Sequence, residues 1–267
     1  MTQKCAGNTM DIKNTAAIIT GSATGIGAAT AQGLAARGCS VVINYTKSKE
    51  EAEATVEVCR ELGGQAIAFC ADVSKDDDCQ AMAAAAMEHF GRLDILVNSA
   101  GTTKFVPLHD LDGLNADDFQ RIYGVNVIGP FQMAKACAPH LKASGNGAIV
   151  NVSSTAGVFG SGSSIAYGAS KGALNTMTKS LARALAPEIR VNAVCPGFVQ
   201  TRWMRNHLGE EKYAAHIARW EDTAPLEKAA TPEEVADIVI SFIEGADIVT
   251  GQIMVCDAGA SLGGRKR

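Results

Sequence analysis

The chain has 267 residues, 47% of them hydrophobic and 19% charged, with a formal net charge of −4. That length can bury a large core, and roughly 250 residues is an ordinary size for one α/β domain. The acidic balance argues against a general nucleic-acid surface, and no apolar run approaches the roughly 18 residues that a membrane helix needs.

Short β-branched runs alternate with longer alanine-rich stretches, the pattern of βαβ units around a parallel sheet. In chain order the pattern predicts strand 16–20, helix 25–37, strand 40–44, helix 49–62, strand 66–71, helix 75–90 and strand 93–98. A long helix over 115–141 follows, interrupted near Gly129-Pro130, then strand 148–153, helix 165–186, strand 190–195, helix 232–244 and strand 252–256. Thr231-Pro232-Glu233-Glu234 is a good helix start, with threonine as N-cap, proline at the first helical position and acids in the first turn. Strands apolar on both faces belong in a sheet covered by helices on each side. With no repeat, low-complexity tract or linker to divide it, the chain reads as one domain over 1–267.

The eight cysteines show no Cys-x-x-Cys spacing, and the five histidines show no metal-ligand spacing. Residues 1–14 read as a polar arm, and the apolar run from Ala16 to Ile19 is too short for the core of a secretion signal. The expectation is a cytoplasmic chain with free thiols, no metal and no membrane partner. Arg265-Lys266-Arg267 reads as a solvated tail.

The first predicted strand runs into Thr20-Gly21-Ser22-Ala23-Thr24-Gly25-Ile26-Gly27. Glycine lets the backbone turn tightly and approach a ligand with no Cβ in the way. The helix that follows offers unpaired N–H groups and a positive dipole end to a pyrophosphate. This strand–turn–helix context is the one a dinucleotide site requires, so Gly21, Thr24, Gly25, Ile26 and Gly27 are candidate cofactor contacts in a Rossmann-type, doubly wound parallel sheet of about seven strands. Roughly 20 residues further on, an NAD site usually carries an acid for the ribose hydroxyls. Here Asn44-Tyr45-Thr46-Lys47-Ser48-Lys49 stands instead. Hydroxyls and lysines accept a 2′-phosphate that a carboxylate would repel, so NADP(H) is expected in preference to NAD(H), with Asn44, Tyr45 and Thr46 as contacts. Lys47 and Lys49 could equally just open a solvated helix.

Tyr167 and Lys171 lie four residues apart, so on a helix they share a face. A lysine charge held near a phenol favours the phenolate and lowers its pKa from the usual value near ~10. The pair Ser153-Ser154 lies a short way upstream. A Tyr-x-x-x-Lys spacing is common by chance, so its weight rests on what accompanies it.

Together these residues resemble the short-chain dehydrogenase/reductase family, over nearly the whole chain from Thr20 to Gly259. The glycine turn is similar to that family's cofactor loop. Asp72-Val73 resembles its adenine-contacting pair, although Asp72 could also cap a strand end. Asn98-Ser99-Ala100-Gly101 is similar to its Asn-Asn-Ala-Gly element, departing at Ser99, so Asn98, Ala100 and Gly101 are implied to line the cofactor. Asn126 matches the catalytic asparagine, and the spacing to Tyr167 gives the serine role to Ser154 rather than Ser153. Pro196-Gly197-Phe198-Val199-Gln200-Thr201 resembles the Pro-Gly loop, in which Val199 and Thr201 would hold the nicotinamide.

The resemblance implies hydride transfer between NADP(H) and a ketone or secondary alcohol. Tyr167 would be the acid/base, Lys171 its partner and a ribose contact, Ser154 the anchor of the substrate oxygen and Asn126 the anchor of a proton route. The flavour is closest to 3-oxoacyl-acyl-carrier-protein reductases and related ketone reductases. Two departures stand against that subgroup: Cys256-Asp257-Ala258-Gly259 replaces Val-Asp-Gly-Gly, and Leu141 to Gly147 lacks the arginine expected for docking an acidic carrier. Alternatives are an NAD(H)-dependent sugar-alcohol or steroid-type dehydrogenase, and a dinucleotide-sensing regulator without turnover. Residues 202–225 are expected to form a substrate lid holding Trp203, Met204, His207, Tyr213, His216 and Trp220, or else an ordinary helix pair packing its tryptophans inward. Relatives of this type commonly assemble, so a homotetramer or dimer is expected.

Overall fold

The computed structural model describes residues 10–245 and 247–263. Cys5, most of the polar arm and the basic tail fall outside them. Seven strands, β1 (Ala16–Thr20), β2 (Ser40–Tyr45), β3 (Ala66–Cys70), β4 (Ile95–Asn98), β5 (Gly147–Val152), β6 (Ile189–Pro196) and β7 (Ile253–Cys256), form one sheet in the order 3-2-1-4-5-6-7. All six pairings are parallel. The helices are α1 (Gly25–Ala35), α2 (Lys49–Glu61), α3 (Asp76–Phe90), α4 (Ala116–Tyr123), α5 (Gly129–Ala143), α6 (Ala156–Phe159), α7 (Ile165–Leu185), α8 (Arg202–Leu208), α9 (Glu210–Thr223) and α10 (Pro232–Glu244).

Successive strand residues point to opposite faces, and the core divides accordingly. Ala17 and Ile19 of β1 join Val41, Ile95, Leu34 and Val239 on the α1/α10 side. Ile18 joins Leu96, Ile149, Met82 and Met133 on the α3/α5 side. Both faces are therefore apolar, which is why the strands read as continuous hydrophobic runs. The sheet is the doubly wound Rossmann type, with its order reversing between β1 and β4.

The long predicted helix 115–141 is broken next to Gly129-Pro130, as its sequence suggests. α4 passes into a π-helical turn over Gly124–Ile128 before α5 begins at Gly129. Pro130 has no N–H to give the carbonyl four residues back, at Asn126. The ladder widens instead, with the Gly129 N–H bonding the Gly124 carbonyl, and such turns recur at functional sites. The break thus puts Asn126 inside the irregular turn. Strand and helix ends otherwise shift by a residue or two from the sequence reading.

Among the described residues no helix is long and apolar enough to cross a membrane, and no group of three or more His, Cys, Asp or Glu could hold a metal ion.

Buried Arg190 on β6 closes the end of α10, donating to the Phe242 carbonyl at 2.6 Å and the Ile243 carbonyl at 2.8 Å. Helix-end carbonyls need such partners. Arg190→Met is expected to lower stability by about 2–4 kcal/mol, read as an earlier urea midpoint.

Candidate active site

The site is built where β1, β4, β5 and β6 end. Thr20, the last residue of β1, accepts the Ser99 and Ala100 N–H groups through its hydroxyl, at 3.0 Å each. This draws the segment after β4 against the glycine turn. A Cβ on Gly21, whose φ is +62°, would lie 2.7 Å from the Ala100 Cα. At Gly27 it would lie 2.6 Å from the Gly21 carbonyl oxygen. Both positions are closed to a side chain, so glycine is required by close approach.

Asn44 and Asp72 serve the scaffold. Asn44 is buried, its Oδ1 accepting the Gly21 N–H at 3.0 Å and its Nδ2 donating to the Ala71 carbonyl at 3.0 Å. Its side chain braces the glycine turn from below, because the sheet covers the end of β2 at that position. The Asp72 Oδ1 accepts from the Ser74 N–H and hydroxyl at 3.0 and 2.7 Å, and the Ser74 hydroxyl holds the carboxyl below its usual range.

A cavity of about 740 Å³ runs from the glycine turn to α8 and α9. Gly21, Thr24, Gly25, Ile26 and Gly27 line one end, and Ala100, Gly101, Ser154, Tyr167 and Lys171 the middle. Pro196, Gly197, Val199 and Thr201 form its opposite side. The structure thus brings together most residues singled out in the sequence. Asn44, Tyr45, Thr46, Asp72, Val73, Asn98 and Asn126 do not line this cavity. Asn98 is buried, donating to the Asn151 Oδ1 at 2.9 Å.

Ser164 caps α7, its hydroxyl accepting the Tyr167 N–H at 3.2 Å. Tyr167 therefore sits in the first turn and Lys171 in the next. α6 presses closely on this helix: a Cβ on Gly157 would meet the Lys171 backbone at 2.4 Å. The Lys171 ammonium donates to the Val152 carbonyl at 2.8 Å and lies 5.8 Å from the Tyr167 ring centre. The Tyr167 phenol and the Ser154 hydroxyl line the same cavity, and the Ser154 hydroxyl accepts the Ala156 N–H at 3.1 Å. The Ser153 hydroxyl is turned away, donating to the Lys171 carbonyl at 3.2 Å. Asn126 is fully buried; its Nδ2 donates to the Thr102 carbonyl at 2.9 Å and the Ser170 hydroxyl at 3.0 Å, and its Oδ1 accepts the Thr102 N–H at 2.8 Å.

The electrostatics differ from what spacing alone suggests. Tyr167 keeps part of its surface open, yet burial of the phenol pushes it up to about 12, with the neighbouring Ser154 hydroxyl pulling the other way. Burial pushes Lys171 down to about 8. The lysine charge does not set the direction of the phenol's shift, because desolvation acts on both groups and opposes the charged form of each.

Sequence reasoning missed Phe105, Thr102 and Ser170. The Phe105 ring stacks on His207 of α8, centroids 3.5 Å apart and planes within 7°. No motif marks Phe105. In the segment 202–225, Tyr213 and Trp220 pack inward against Phe198, while Trp203 is 44% exposed at the cavity.

A family model described as enoyl-(acyl carrier protein) reductase matches residues 21–261. The chain belongs to the short-chain dehydrogenase/reductase superfamily. Among members of this superfamily, a provisionally named ketoacyl reductase 2 of the granaticin polyketide synthase of Streptomyces violaceoruber is 42% identical, covering 92% of this chain and 96% of its own. The 3-oxoacyl-[acyl-carrier-protein] reductase of Synechocystis is 35% identical over 91% of this chain and 95% of its own. A crystal structure from Burkholderia xenovorans, provisionally described as a short-chain dehydrogenase/reductase, superposes with a TM-score of 0.87 at 41% identity, covering 93% of this chain and 98% of that one. Membership of the superfamily carries oxidoreductase activity with it.

The buried lysine has a consequence for stability. Below pH 8 both native and unfolded chains hold the Lys171 proton, and the native state bears the full cost of a poorly solvated ammonium. From about pH 8 to ~10.5 the unfolded chain binds a proton the native chain does not, so this group's contribution to stability rises with pH. Lys171→Met is expected to be more stable than wild type at pH 7, by up to about 3 kcal/mol. The gap should shrink as pH approaches ~10.5. Urea midpoints of the two proteins compared at pH 7 and pH 10 test this; an equal gap at both would contradict it.

Proposed function

We propose that the chain reduces a ketone to a secondary alcohol with NADPH, Tyr167 supplying the proton. The observation carrying this reading is the Tyr167 phenol, set beside Ser154 in the lining of the cavity and pushed up to about 12 by burial. Such a phenol is a proton donor at neutral pH, which suits reduction. The other end of the cavity fits a dinucleotide. The first turn of α1 carries no acidic side chain and no side-chain cap, so its N–H groups and positive dipole end are available to a pyrophosphate. Gly21, Thr24, Gly25, Ile26 and Gly27 would hold that group, and Val199 and Thr201 the nicotinamide end. At the end of β2, Thr46, Lys47 and Ser48 stand where a carboxylate would favour NAD(H), which supports NADPH.

When bound, the cofactor supplies the hydride. The chain's own residues do the rest. Ser154 and Tyr167 hydrogen-bond the substrate oxygen and fix the carbonyl, and Tyr167 gives its proton to the oxygen as negative charge develops there. Lys171, with a proton affinity brought near neutrality, is suited to passing a proton toward the phenol. Asn126, Thr102 and Ser170 hold the backbone beside it. The oxoacyl reductases among the relatives are consistent with a ketone substrate. Tetramer formation belongs to the same proposal, with Ile128 and Phe131 about half exposed beside α5; light scattering reads it directly.

With a ketone that the wild type reduces, NADPH is expected to exceed NADH in kcat/KM by roughly tenfold or more. Tyr167→Phe should lower kcat by about 10²–10⁴-fold while calorimetry shows NADPH still bound. A variant that turns over near the wild-type rate would remove Tyr167 from the chemistry.

A further inference from the structure

Beyond Tyr167 the cavity is walled by rings. Trp203 of α8 stands edge-on to the Tyr167 ring, with centroids 6.1 Å apart and planes at 66°. It meets Phe105 at 5.8 Å and 60°. Phe105 and His207 form a nearly parallel slab beside it. Trp203 nonetheless remains 44% exposed, so a large aromatic face adjoins the phenol with room to be covered. The fixed cations lining the same cavity are engaged elsewhere: Lys171 on the Val152 carbonyl at 2.8 Å and Arg202 on Glu51 at 2.6 Å. A carboxylate or phosphate on the substrate would have to compete for them. Flat rings prefer offset or edge-on contact with other rings, whereas a flexible chain gains only area and gives up rotamer freedom to do so.

We propose that this chamber takes an uncharged ketone carried on a flat aromatic ring system, with Trp203 and the Phe105–His207 slab as its specificity wall. The proposal rests on the ketone-reductase reading. In it Trp203 positions the ring so that the carbonyl reaches Ser154 and Tyr167, and a flexible acyl chain gains no matching contact.

The test uses full-length enzyme with NADPH and three substrates: 2-tetralone, the open-chain 2-decanone of equal carbon count, and the acetoacetyl thioester of N-acetylcysteamine. Wild type is expected to favour 2-tetralone over each of the others by roughly tenfold or more in kcat/KM. Trp203→Ala should erase most of that preference through KM for 2-tetralone, leaving 2-decanone little changed. Trp203→Phe, which keeps a ring, should restore most of it. Preference for the open-chain ketone or the thioester, or equal losses on all three substrates in Trp203→Ala, would overturn the ring wall. If wild type reduces none of them, the reductase reading fails by itself, and calorimetric titration with 2-naphthol decides the wall. Saturable binding to wild type that weakens in Trp203→Ala supports it, and no binding, or equal binding to both, refutes it.

Discussion

The bond from the Lys171 ammonium to the Val152 carbonyl ties the start of α7 to the end of β5. Much of the catalytic geometry hangs from that tie. Ser154 lies two residues past Val152, and Tyr167 lies one helical turn before Lys171, so fixing lysine to strand brings hydroxyl and phenol to the same part of the cavity. Ser153, between them in sequence, reinforces the same junction by donating to the Lys171 carbonyl. Close packing of α6, where Gly157 leaves no room for a Cβ, holds the helix in place. The Ser164 cap sets its first turn.

Holding a lysine there works against stability. Burial opposes its charge, which is why its pKa falls toward neutrality, and the same burial raises that of the phenol. The two shifts move the proton affinities of these neighbours apart, leaving a phenol that keeps its proton and an amine that can release one. The remainder of the fold absorbs the cost through a sheet that is apolar on both faces and through buried amides bonded to backbone. Asn44 under the glycine turn and Asn126 beside the lysine show the second device. Each is buried with its amide bonded to backbone, so the loops that face the cavity are held by side chains that never enter it.

Much of this was legible in the sequence where the information is local. The glycine turn, the helix start at Thr231 and the shared face of Tyr167 and Lys171 follow from dihedral freedom, capping and the helical period. Other features depend on neighbours from distant parts of the chain. Asn44 stands where a ribose contact is expected, but β3 packs beside it and the glycine turn sits above, so its side chain is consumed by the scaffold. The helix break beside Gly129-Pro130 was legible in the sequence, and it lies just upstream because the missing proline N–H is felt one turn back. Phe105 carried no signal, since its partner His207 comes from another part of the fold.

The sequence by itself determined the parallel α/β architecture, the glycine turn between strand and helix and the shared face of Tyr167 and Lys171, because each depends on periodicity or on spacing within one or two elements. Only the tertiary structure decided the sign of the Tyr167 shift, the bracing roles of Asn44 and Asn126, and the aromatic wall around Trp203. Desolvation and ring contacts are properties of enclosed space, and that space exists only once strands and helices far apart in the chain have closed around it.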